Sequence, residues 1–252
     1  MKRLSMLLII AVFLLSAAFA DPLPILEDYA DDVVILYDDN DPSAGKFEYS
    51  YRYPHVDESA EGGAAINAFY DYLANNETQG FTIPMKSEDY KTMGGGDTST
   101  IITYTVTCNN DDFFSIAVKI VETTPDLISE KWEGHVFNRK NVTPGSTCTL
   151  PQLLGTLSNT ENDTWLQDRQ TAKAEAFIRS VVWDRIEANT DGIEYYDDFQ
   201  PADLEDYFFP EEDFYLESSD TLVFFLQPGI AAPESAGLLT FSFSLEDILD
   251  EM

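Results

Sequence analysis

The side chains here that could do chemistry are two histidines, two cysteines and 46 carboxylates. Neither His55 nor His135 has a second ligand at the i, i+4 spacing of a helical metal site. No HExxH or HxH occurs, so the sequence offers no zinc site. Ser146 follows Gly145 without the rest of a GxSxG elbow, and Thr143-Pro144-Gly145-Ser146 reads instead as a type II turn. Gly94-Gly95-Gly96 has no following Lys, so it reads as a loop and not as a phosphate cradle. Paired carboxylates could serve a glycosidase, but with so many acidic residues such pairs arise by chance along the whole chain. Acidic clusters stand at Asp38-Asp39-Asn40-Asp41, Asp197-Asp198 and Glu211-Glu212-Asp213. Calcium favours such oxygens, yet none of the three fits the loop with a central Gly and a terminal Glu, and each reads as solvated surface. The sequence therefore assigns no catalytic residue, no cofactor and no metal ligand.

The N-terminus is more informative. Met1-Lys2-Arg3 is a basic head, and Ser5 to Ala20 is an uncharged apolar run ending in Ala18-Phe19-Ala20. That is the pattern of a secretory signal peptide, residues 1–20, cleaved before Asp21. The run falls short of the roughly 20 residues that cross a bilayer, which sets cleavage against the alternative of a retained anchor. Two of the 14 basic residues and none of the acidic ones lie in this segment, leaving 12 against 46 and a net charge of −34. Such a field repels nucleic acid and anionic membranes and draws in cations, and it also serves plain solubility. Export places Cys108 and Cys148 where disulfides persist. One bridge between them would close a loop of 41 residues, worth roughly 4 kcal/mol in the chain-entropy model, the alternative being two free thiols.

Side-chain periodicity then gives the elements. Residues 21–45 form an acidic leader with a strand over Val33–Tyr37. Phe47, Tyr49, Tyr51 and Tyr53 alternate with Glu48, Ser50 and Arg52, a half-buried strand that Pro54 is expected to end. Ala65, Ile66, Phe69 and Leu73 recur at three and four, which predicts a helix over Glu61–Asn75. Ile102, Tyr104, Val106 and Cys108, the turn Asn109–Asp112, and Phe114, Ile116, Val118 and Ile120 make a hairpin with one apolar face. Further expected elements are a strand at Trp132–Arg139, a short helix at Leu150–Leu154 and a long helix over Asp163–Ala188 striped by Ala174, Phe177, Ile178, Val181, Val182 and Ile186. Phe214–Leu216, Thr221–Gln227 and Leu239–Phe243 read as strands, the second buried on both faces, and Leu245–Leu249 as a closing helical turn. The expected class is α+β, an antiparallel sheet packed against two or more helices, with residues 46–145 and 146–252 as two units.

The closing pattern is the most specific. Asp213-Phe214-Tyr215-Leu216, Leu222-Val223-Phe224-Phe225, Gln227-Pro228, Ile230-Ala231-Ala232-Pro233 and Ala236-Gly237 resemble the C-terminal domain of unknown function of RsiV-type anti-sigma factors and PdaC-type peptidoglycan deacetylases. Tyr53-Pro54 with Ile66-Asn67, then Phe137-Asn138, Thr143-Pro144-Gly145 and Leu150–Leu153, resemble the region before it. The chain departs from the family where Glu234-Ser235 follow Pro233, and it is expected to lack the sigma-binding segment and the deacetylase domain of those proteins. The resemblance implies a secreted bacterial cell-envelope module that binds or senses, with a wall glycan or a cationic wall-active protein such as lysozyme as its partner. An enzyme acting on wall polymers and a structural envelope component are the alternatives. The resemblance and two rigid prolines point to Gln227, Pro228, Gly229, Ile230, Ala231, Ala232 and Pro233 as the partner-binding loop. The alternative there is a packed crossover with Ile230 in the core.

Overall fold

Alternating aromatic side chains build the first sheet. The computed structural model describes residues 22–79, 82–92, 96–142, 145–156 and 164–252. The expected signal peptide, Gly94-Gly95 and the Thr143-Pro144 half of the expected turn lie outside them. Five strands, β1 (Ile25–Leu36), β2 (Lys46–Val56), β3 (Thr98–Asn109), β4 (Phe113–Thr123) and β5 (Ile128–Asn138), lie in chain order. The tyrosine strand β2 turns Phe47, Tyr49, Tyr51 and Tyr53 into a core with Ile66 and Tyr70 of α1 (Gly63–Gln79). Tyr53 stacks on Tyr70 at 5.6 Å, a contact worth about 1 kcal/mol beyond its buried area.

Three details of this sheet depart from the alternation pattern. First, β1 is no leader: it pairs antiparallel with β2 along its whole length. Second, Pro54 does not end β2. Beyond Tyr51 the strand has β1 on one side only, so the missing N–H interrupts no ladder on the other. Third, β2 and β3 pair in parallel, so the sheet is mixed and not purely antiparallel. The crossover between them carries α1 and α2 (Thr82–Thr92), the latter without a periodic apolar stripe in its sequence.

The hairpin β3–β4 forms as its pattern predicts, with Asn110 Oδ1 accepting from the backbone N–H of Asp112 and Phe113. It carries one irregularity. Val106 pairs with Ile116, but Cys108 pairs with Ser115, so Thr107 is an extra residue in β3. A bulge turns the next residues of its strand to the other face. Val106 stays with the tyrosine core, whereas Cys108 joins a second core behind the sheet.

That second core belongs to the C-terminal elements: α3 (Leu150–Leu153), α4 (Thr164–Ala188), α5 (Asp203–Tyr207), α6 (Leu245–Asp250) and the antiparallel sheet of β6 (Phe214–Ser218), β7 (Thr221–Leu226) and β8 (Leu239–Ser244). The stripe of α4 buries Ala174, Ile178, Val182 and Ile186 against Phe224, Phe241 and Phe243. Strand β7 is central, with Leu222 to Leu226 all buried. The two sheets meet where β6 packs on β3, β4 and β5. Small residues allow a close approach there: Ser115 Oγ accepts from the N–H of Leu216 at 3.0 Å, and Gly134 faces the Phe214 carbonyl. The class is α+β, and among the described residues no helix is long and apolar enough to cross a membrane.

Candidate functional site

The loop after β7 divides its residues between packing and exposure. Gln227 lays its carboxamide against the edge of β5, accepting from Trp132 N–H and donating to Trp132 C=O, both at 2.8 Å. It thus stands in for one residue of a sixth strand. Ala231 and Ala232 are buried in the second core, and Ala231 C=O accepts from Tyr196 N–H at 3.0 Å. Pro228, Gly229, Ile230 and Pro233 are half-buried. Gly229 takes a positive φ of 82° that suits glycine. It and Ile230 line a cleft of about 400 Å³ with Tyr196, Phe199, Tyr207 and the carboxylates of Asp198 and Asp203. Tyr196 and Tyr207 are 41% and 52% exposed. Nothing in the sequence links these residues: Tyr196 lies after α4, Tyr207 ends α5 and Ile230 follows β7.

A second cleft, of about 390 Å³, opens at the free edge of β5. One wall is Thr147 to Thr149, and the other is Glu211 to Phe214. On β5 itself, Glu133 pairs with Lys131 at 2.8 Å and lies 3.7 Å from His135. The His135 contact, then Lys131, hold the Glu133 carboxyl down at about 2. Burial pushes Asp213 the other way, up to about 6, with Glu212 and Glu211 adding repulsion against the Phe209 N–H and Gln227.

The histidines have structural surroundings. His135 is buried edge-on to Phe69 and within 3.4 Å of the Tyr70 hydroxyl. His55 packs on Tyr29 beside Glu27. Among the described residues no three His, Cys, Asp or Glu side chains stand where a metal ion could be held.

The expected disulfide is corrected: Cys108 and Cys148 are both free thiols. Cys108 lies beside Ser115 across β3–β4, Ser115 beside Val136 across β4–β5, and Cys148 N–H bonds Val136 C=O. Three strand spacings of about 4.8 Å put the two Cα atoms on the order of 14 Å apart, against the roughly 7 Å a bridge tolerates. Burial raises both thiols, Cys148 to about 11, so both stay protonated at neutral pH. Unfolding the protein without reductant is therefore expected to release two titratable thiols; finding none would restore the bridge.

No family model matches the chain, and no curated protein does. Solved structures are similar to the chain, two of them over nearly their full length. One, a DUF3298 family protein of Pseudomonas aeruginosa, is 10% identical, with a TM-score of 0.50 over 92% of this chain and 94% of that one. The fold is that of a DUF3298 protein. It supports a domain of unknown function, and the likeness is one of fold alone. The other, a DUF3298 family member from Bacteroides fragilis, is 12% identical, with a TM-score of 0.45 over 90% of this chain and 94% of that one. At such identities the likeness carries the fold and assigns no role to any residue.

Proposed function

We propose that this chain is an exported, non-catalytic binding module of the bacterial cell envelope, and that its partner is a cationic protein. The observation that carries the reading is the cleft beside the Gly229-Ile230 turn, where two exposed tyrosine rings stand with two carboxylates. A ring face and a carboxylate together suit an ammonium or guanidinium group, each such contact adding about 0.5–2 kcal/mol. The net charge of −34 after Ala20 would speed encounter with a basic partner. Of the seven loop residues expected to bind, this reading keeps Gly229 and Ile230 at the surface of contact. Gln227, Ala231 and Ala232 act by anchoring them.

The test uses the chain from Asp21 onward, immobilised, with lysozyme and purified peptidoglycan as probes. Lysozyme is expected to be captured, with affinity falling steeply as salt rises. Tyr207→Ser is expected to weaken capture about tenfold with the fold intact. Retention of glycan but not lysozyme would transfer the site to a sugar. Capture that ignores both salt and Tyr207 would overturn the reading.

A further inference from the structure

The free edge of β5 leaves one backbone position open. Arg139 N–H bonds Asp112 C=O at 2.8 Å, which makes Asn138 and Phe113 a non-hydrogen-bonded pair. By the two-residue alternation, Val136, Gly134 and Trp132 also turn their backbone groups away from β4. Trp132 gives both of its groups to Gln227, and the Val136 carbonyl accepts from Cys148 N–H. Gly134 lies between them, half-buried, and lines the second cleft. Among the described residues its outward N–H and C=O meet no partner. An open donor–acceptor pair on a strand edge is a template for one residue of an extended chain.

The charge around this position is unbalanced. Lys131 is already paired with Glu133, while Glu211, Glu212 and Asp213 crowd the opposite wall. Glu211 holds one carboxylate oxygen that is shielded from water and accepts no hydrogen bond. We propose that this cleft binds an extended peptide segment carrying a basic side chain, its backbone pairing with Gly134 and its ammonium or guanidinium group meeting Asp213. The raised Asp213 carboxyl accords with this, since burial among like charges favours its proton until a cation arrives. The site shares no lining residue with the cleft of Tyr196 and Tyr207, so each can fail alone.

The experiment is a nitrogen-15 titration of the chain from Asp21 onward with a blocked peptide, acetyl-Ala-Lys-Ala-amide. Its analogue is methylated on the lysine backbone nitrogen, and its control carries Glu in place of Lys. The Lys peptide is expected to shift the Gly134 amide resonance saturably, and the methylated analogue to bind at least about tenfold more weakly, because it cannot donate to the Gly134 carbonyl. Affinity is expected to rise about tenfold from pH 5 to 7 as Asp213 loses its proton. Glu211 and Glu212 on its own segment, Lys131, Glu133 and His135 on β5, and Cys148 opposite also face the cleft. Asp213→Asn is therefore included and is expected to remove the rise. Equal binding of the methylated and Glu peptides, or a Gly134 resonance that does not move, would overturn the assignment.

Discussion

Replacing Gly134 with Ala should destabilise the protein by on the order of 3 kcal/mol or more, measured by urea unfolding as a fall in midpoint at unchanged slope. A methyl group there would overlap the Phe214 carbonyl oxygen, 2.6 Å from its carbon and 3.3 Å from the Tyr215 nitrogen. Both obstacles are backbone, and both belong to β6, which is held to the first sheet by the bond from Leu216 N–H to Ser115 Oγ. No side-chain rotation relieves the clash, so the two sheets must move apart and open the second core. A midpoint within error of the unsubstituted protein would show that β6 does not approach the first sheet this closely.

Asn67→Leu is expected to cost about 2–4 kcal/mol by the same measurement. Asn67 is 2% exposed on α1. Its carboxamide oxygen accepts from Val56 N–H at 2.9 Å and its nitrogen donates to Val56 C=O at 2.8 Å. It thereby closes the end of β2, where no β3 residue pairs. Leucine fills similar volume but leaves two buried backbone groups without partners. Asp71→Asn on the exposed side of the same helix should change stability by no more than about 0.5 kcal/mol. Equal effects at the two positions would show that Asn67 has no special role.

Asn67 and Gln227 do the same job in two places, each lending a strand edge the donor and acceptor of a missing residue. Neither role could be read from the sequence. A carboxamide looks the same there whether it faces water or a strand, and the residues it satisfies stand 11 and 95 positions away. The same limit explains Cys108. Alternation places it with Ile102, Tyr104 and Val106, and only the pairing of β3 with β4 reveals the bulge that turns it to the other core. It also explains the two clefts, whose walls come from segments that share no local pattern.

What the sequence determined by itself was local. The tyrosine strand, the hairpin, the long amphipathic helix and the buried strand β7 all follow from which residues alternate or recur, because burial of one face is settled within each element. The tertiary structure decided everything that depends on which face meets which. That includes the parallel pairing of β2 with β3, the strand that continues through Pro54, the separation of the two thiols and the open edge at Gly134. Each turns on contacts between segments far apart in the chain. Such contacts form only where shape and backbone hydrogen bonding are satisfied together, and no spacing along one segment encodes that condition.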